Sequence, residues 1–243
     1  MPKFFIDGLE HGNGVYTLPK EEAAHAVKSL RMTVGDEIIL CDGKGTDYIC
    51  ELTGIAETVT AQLKHTEKSA GEPDIFLTLF MAVPKGDKMD LVVQKATELG
   101  AGAVVPVWTR RCVSRPEGKA LAKKLARWQK IAEEAAKQCG RGRIPPVEEP
   151  LCFADAVCRA ARDAMPLFFY EGEQETRLRD VLLQKAFQSV SVLVGPEGGF
   201  DAEEYQLAVQ AGMKSVSLGS RILRCETAPL AAIAAVMFHS GNF

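Results

Sequence analysis

The stretch Ile75-Phe-Leu-Thr-Leu-Phe-Met-Ala-Val83 constrains the fold of this chain more than any other. So nearly unbroken an apolar run suits a strand buried on both faces, and such strands belong to parallel sheets flanked by helices. The residues after it obey that rule. Met89, Val92, Val93, Ala96 and Leu99 share one face of a helix expected over about 86–99, which Gly100 ends. Ala103-Val-Val-Pro-Val-Trp108 is the next strand, and the rhythm returns with strands near 167–170, 190–194 and 215–218. Alternating strands and helices predict an α/β domain that binds ligands beyond the carboxyl ends of its strands. Gly195 and Gly219 fall at two such ends.

The first seventy residues have a different texture. Lys3–Asp7, Glu37–Cys41, Asp47–Thr53 and Val59–His65 are short strand-like runs, with turn segments at Thr33–Asp36 and Asp42–Thr46. One helix, over about 19–30, interrupts them. Short strands with glycine turns predict a small β-barrel, and Ser69-Ala-Gly-Glu-Pro73 supplies a linker. The expected division is a barrel, 1–71, and an α/β domain, 72–243. No run is apolar for long enough to span a bilayer, and Met1-Pro-Lys-Phe-Phe meets charge too soon for a signal peptide. Seven cysteines without a CxxC pair and four scattered histidines suggest neither a zinc site nor a disulfide framework. A cytoplasmic protein with reduced thiols, no metal and no membrane association is expected.

The net charge of −3 alone argues against nucleic acid, but its distribution does not. Residues 109–143 hold eleven Lys and Arg against three acidic residues, whereas 1–71 and 144–243 are both acidic. Within that segment a helix is expected near 119–138. Leu121, Leu125, Trp128, Ala132 and Ala135 form its apolar stripe, and Lys123, Arg127, Lys130 and Lys137 lie opposite. The loop Gln138-Cys-Gly-Arg-Gly-Arg143 comes next. Charge alone fits equally a helix face charged for solubility, but the loop arginines with Arg110-Arg111 favour a surface that tracks the phosphates of RNA or DNA.

Two glycine turns carry the chemistry. Gly195-Pro-Glu-Gly-Gly199 is neither the G-x-G-x-x-G dinucleotide turn nor a Walker loop, and Glu197 would repel a polyphosphate. A ligand neutral or cationic at that point is favoured, and S-adenosylmethionine, with its sulfonium, fits. The alternative is a turn shaped for structure alone. Asp201 and Glu204 predict a capping box on the next helix. The second turn, Ser217-Leu-Gly-Ser-Arg-Ile-Leu-Arg-Cys-Glu-Thr-Ala228, leads into a helix capped by Thr227, over 228–239. That helix is almost wholly apolar, which predicts burial in the core or in a subunit interface. Arg221, Arg224 and Glu226 cluster beside the turn, either for function or as a structural ion pair.

Leu193–Phe200 together with Leu218–Ala228 resembles the C-terminal signature of the SPOUT methyltransferases. More narrowly, the chain resembles the RsmE-type small-subunit (16S) ribosomal RNA uridine N3-methyltransferases. His25–Met32 with Gly35-Asp36, Lys88–Gly100, and Glu134 with Gln138–Arg141 agree with that resemblance, which runs nearly end to end. It implies a PUA-like N-terminal barrel for RNA recognition, S-adenosylmethionine as methyl donor, and a homodimer. It also replaces the open doubly wound sheet expected from the residues with a SPOUT domain carrying a C-terminal trefoil knot. Gly195, Pro196, Glu197, Gly198, Leu218, Gly219, Ile222 and Leu223 would hold the donor, and Arg224 and Glu226 would act in catalysis. Arg31, Arg110, Arg111, Lys123, Arg127, Arg141 and Arg143 would face ribosomal RNA, free or in the assembled subunit. A SPOUT enzyme acting on another nucleotide, or a non-catalytic RNA-binding module, are the alternatives.

Overall fold

In the computed structural model, which describes residues 1–9, 12–184 and 186–243, Ile38, Leu40, Leu52, Val59 and Ala61 turn inward from β-strands. These strands form one compact unit, Met1–Glu72 together with Ala136–Ile144; Pro73–Ala135 and Pro145–Phe243 form the other.

In the first unit β1 (Lys3–Phe5), β2 (Val15–Thr17), β3 (Glu37–Cys41), β4 (Thr46–Ile55) and β5 (Val59–Lys68) make a sheet ordered β1-β3-β4-β5-β2. Only β1 and β3 pair in parallel. Phe4 of β1 and Tyr16 of β2 share a core with the strands between them. Tyr16 meets Tyr48 edge-on at 6.0 Å, and its hydroxyl donates to the Leu9 carbonyl. Burial pushes the Cys41 and Cys50 thiols up to about 11, so both remain protonated fillers of this interior. The short β2 was not anticipated, because only Tyr16 of its three residues is buried and no alternation announces it.

The helix α1 (Lys20–Ala24) continues as a π-helical turn over His25–Ser29. The Met32 N–H closes that end on the Ala26 carbonyl and places Arg31 at φ 57°. Arginine pays for that left-handed backbone, where glycine would not. Arg31→Gly is therefore expected to stabilise this unit by about 0.5–1 kcal/mol, after the entropy glycine adds to the unfolded chain. Amide exchange of β3 and β4 reads the change, and an unaltered exchange free energy would show that the position carries no strain.

The segment Ala136–Ile144 belongs to the first unit because of a buried polar network, which the division at 71/72 does not anticipate. Lys3 and Asp47 form a 2.7 Å ion pair, each side chain 6% exposed, and Lys3 also donates to the Gly140 carbonyl. Glu72 accepts from Arg141 Nη2 at 2.8 Å and from the Gly142 and Arg143 N–H groups at 2.9 and 3.0 Å. Arg141, expected to face RNA, is instead 4% exposed and held by Glu72. A guanidinium already desolvated and paired offers nothing to a phosphate. Arg143, two residues on, is exposed, with its Nε donating to the Lys44 carbonyl.

In the second unit β6 (Phe76–Ala82), β7 (Ala103–Trp108), β8 (Leu151–Cys152), β9 (Met165–Phe169), β10 (Ser189–Val194) and β11 (Lys214–Val216) form an all-parallel sheet. Between them run α2 (Lys88–Glu98), α3 (Gly118–Cys139), whose Ala136–Cys139 end belongs to the first unit, α4 (Phe153–Ala160), α5 (Leu178–Leu182) and α6 (Ala202–Gln210), and α7 (Thr227–His239) follows β11. The unbroken apolar run of β6 now has its reason: Leu77, Leu79 and Met81 enter one core and Phe80 the other, on opposite faces of the sheet. The order is β11-β9-β10-β6-β7-β8. Neighbouring strands β6 and β10 therefore send their chains in opposite directions, one toward β7 and the other toward β11. Such a switch point opens a crevice at the carboxyl edge.

Candidate active site at the carboxyl edge of the sheet

Loops leaving β6, β7, β9, β10 and β11 converge on that edge, and the Gly195–Gly199 turn occupies the switch point itself. Gly195 and Pro196 are buried at the end of β10. The Gly199 N–H returns to the Pro196 carbonyl at 3.0 Å, closing a turn in which Gly199 has φ 64°. A side chain there would also strike the Glu171 carboxylate, which accepts the Phe200 N–H at 3.1 Å. Arg111 donates to the Gly198 carbonyl. The expected capping box forms: Asp201 accepts from the Glu204 N–H and Glu204 from the Asp201 N–H.

Glu197 does not stand bare at this turn. Its carboxylate takes Lys88 Nζ at 2.9 Å and the Lys85 N–H at 3.2 Å. Lys88 Nζ also lies 3.2 Å from Glu226 Oε2 and 3.7 Å from Cys225 Sγ, and the Cys225 thiol donates to Glu226. Burial raises the Glu197 pKa, but Lys88 and the backbone N–H groups outweigh it and hold the carboxyl below its ordinary range. Bonds from its own N–H, from Cys225 and from Lys88 lower Glu226 as well. Burial, with Glu226 beside it, pushes the Cys225 thiol up to about 12, which leaves it unreactive. Lys88, which meets both turns, is the residue that sequence reasoning did not single out. It stood inside the motif Lys88–Gly100, but no spacing tied it to Glu197, 109 positions away.

The second turn leaves β11 and lies open. Ser217 pairs with the 176–178 segment, and Leu218 packs on the main core. Gly219 has φ 109°, with open space where a side chain would stand. Ile222 is 81% exposed, and Arg221 and Arg224 are exposed beside it. Among the described residues the Arg224 guanidinium has no hydrogen bond or ion pair; Glu226 pairs with Lys88 rather than with it. Thr227 is the first residue of α7 rather than its cap: Glu226 occupies the cap position, without a side-chain bond to the helix N–H groups, and the Thr227 N–H is met by the Arg224 carbonyl. Along α7 Ala232, Ile233, Val236 and Met237 are buried, while Phe238 is 75% exposed.

The cations expected to meet RNA are differently committed. Arg110 pairs with Asp201 and Glu203. Arg127 pairs with Asp90, which also receives the Trp128 indole N–H. Lys130 lies beside Glu133 and Glu134, and Lys137 meets Glu22 at 2.8 Å. Arg31 and Lys123 are exposed, and among the described residues their side chains have no ion pair. Arg110, Arg111 and Arg127 keep 49–60% of their side chains exposed in spite of their partners.

Residues 71–237 match the family model described as an RNA methyltransferase domain, and residues 18–64 match an RNA methyltransferase PUA domain. The chain is 34% identical to the ribosomal RNA small subunit methyltransferase E of Bacillus subtilis (strain 168), covering 93% of this chain and 90% of that one. It is 36% identical to the Synechocystis protein of the same name, over 90% of this chain and 72% of that one. Among solved structures it is similar to ribosomal RNA small subunit methyltransferase E from Neisseria gonorrhoeae bound to S-adenosylmethionine. That match has 36% identity and a TM-score of 0.84, and covers 98% and 97% of the two chains. A putative methyltransferase from Legionella pneumophila in complex with the same cofactor matches at 29% identity and TM-score 0.84, covering 97% of this chain and 96% of that one.

Proposed function

This chain belongs to the RNA methyltransferase family that includes ribosomal RNA small subunit methyltransferase E, and from that premise we propose that it methylates N3 of a uridine in small-subunit (16S) ribosomal RNA. It is an S-adenosylmethionine-dependent ribosomal RNA methyltransferase. The observation that carries the assignment is the pair of turns at the carboxyl edge, one sealed by Lys88 and Glu197, the other open.

The residues present suit that donor. Leu218, Ile222 and Leu223 offer apolar surface to an adenine ring, and Gly219 lets a ligand approach the backbone. Gly195, Pro196, Glu197 and Gly198 shape the wall opposite, where Lys88 already balances the one acid. The donor supplies an electrophilic methyl group on sulfur, so the protein's own task is to place the uracil and deal with its N3 proton. The Arg224 guanidinium would stabilise the negative charge that grows on the ring as N3 loses that proton to solvent. Glu226, held ionised below its ordinary range, is a poor proton acceptor. Its part is to anchor the segment on which Arg224 stands.

RNA recognition, threading and assembly complete the proposal. Arg31, Arg110, Arg111, Lys123, Arg127 and Arg143 follow RNA phosphates, and the first unit contributes to RNA recognition. The Leu218–Ala228 segment threads a loop to form a trefoil knot; a crystal structure with donor bound, traced through that segment, tests the threading. The enzyme acts in the cytoplasm as a homodimer, and the exposed Phe238 on an apolar helix suits a second copy. Sedimentation at a mass of one 26.4 kDa chain would refute the dimer.

Nucleoside mass spectrometry of 16S ribosomal RNA from a deletion strain decides the reaction. Loss of 3-methyluridine is expected, and an unchanged level sinks the uridine assignment. Calorimetry with S-adenosylmethionine decides the class: absence of binding would leave an RNA-binding module.

A further inference from the structure

Three segments that are distant in sequence meet at one ammonium group. Lys88 stands on the first residue of α2, Glu197 in the turn after β10 and Glu226 immediately before α7. Lys88 reaches Glu197 at 2.9 Å and Glu226 at 3.2 Å. The three side chains are 20–33% exposed, so solvent reaches these bonds, and what favours them is that one ammonium serves two carboxylates. Among the described residues no other hydrogen bond or ion pair joins the Gly195–Gly199 turn to the 217–226 segment, although both are the walls assigned to the donor. The two carboxylates carry like charge, and without the lysine between them each would push the other wall away.

We infer that Lys88 is a positioning residue for methyl transfer: it pins the two donor-holding walls to each other through Glu197 and Glu226. The inference rests on the proposed function for its purpose, though not for its geometry. Lys88 touches neither donor nor uracil in this scheme; it acts through the two acids. Because one arm goes to Glu197 and the other to Glu226, with Cys225 beside it, cutting one arm should loosen one wall only. A lysine that merely packed in the interior would show no such selectivity. An arginine at 88 retains the charge and can reach both acids, so it should keep both walls in place.

The test is amide hydrogen exchange on the full chain without donor, followed by calorimetry with S-adenosylmethionine. In Lys88→Met, exchange should quicken in 195–200 and in 217–226, while β6, β9 and β10 stay as protected as before. Donor affinity should fall about tenfold or more, given two charged hydrogen bonds lost. Lys88→Arg should restore protection and affinity. Glu226→Ala removes one arm, so exchange should quicken in 217–226 and not in 195–200; this variant decides the matter if Lys88→Met does not fold. Unchanged exchange of both segments in Lys88→Met, or loosening of both in Glu226→Ala, overturns the inference. Should the wild-type chain bind no donor while the exchange pattern holds, the proposed function fails and the pin stands.

Discussion

Arg224→Ala is expected to lower methyl-transfer turnover by about 10²–10³-fold, the usual loss when one preorganised charge stabiliser is removed. Donor affinity should stay within about threefold of wild type, because an interaction made only in the transition state affects kcat rather than binding. The expectation comes from how the charges at the edge are distributed. Glu197 and Glu226 are occupied by Lys88, Arg110 by Asp201 and Glu203, and Arg111 by the Gly198 carbonyl. Arg224 is exposed beside the open turn, and its backbone carbonyl is fixed by the first two N–H groups of α7. Anchored backbone with an uncommitted guanidinium is the arrangement a developing anion requires. Steady-state kinetics on an RNA fragment, paired with donor calorimetry, separates the two effects. Full activity in Arg224→Ala would remove the residue from the mechanism. Equal losses in affinity and turnover would make it a binding residue. Arg224→Lys should recover part of the rate, since the charge returns without the planar fork.

The parts of this molecule that were legible in the sequence are those set by local periodicity. The apolar run of β6 announced a doubly covered strand because its alternate residues feed two cores, and the Asp201–Glu204 box announced its helix. The two glycine turns were legible as turns that follow strands. The hidden features depend on partners far along the chain, or on elements too short to show a period. The three residues of β2 and the two of β8 are of the second kind. Lys88 looked like one more charge at a helix start until the fold brought Glu197 and Glu226 to it. The arginines of Gly140-Arg-Gly-Arg143 are indistinguishable by composition, yet Arg141 is buried and Arg143 is exposed. Glu72, some seventy residues earlier, takes the Arg141 side chain and leaves that of Arg143 outside.

That same difference yields the largest stability effect expected here. Glu72→Ala should destabilise the first unit by about 1.5–3 kcal/mol, the cost of removing a charged hydrogen-bond partner. It takes one carboxylate from the Arg141 guanidinium, 4% exposed, and the acceptor from the Gly142 and Arg143 N–H groups. Arg141→Ala should cost less, because Glu72 keeps those two N–H donors and loses only the cation. Glu72→Gln retains one acceptor oxygen for the backbone and should fall below Glu72→Ala as well. With two units in the chain a single melting midpoint does not report this order, whereas amide exchange in β3, β4 and β5 does. A larger loss for Arg141→Ala than for Glu72→Ala would contradict that order. RNA binding supplies an independent check on the corrected role. Arg143→Ala, which removes an exposed cation, should lower the salt slope of RNA binding by about 0.7 for one single-strand phosphate contact. Arg141→Ala, assayed where it remains folded, should leave that slope unchanged. A reduced slope in folded Arg141→Ala would return Arg141 to the RNA-facing set and leave Glu72 as a partner it abandons on binding.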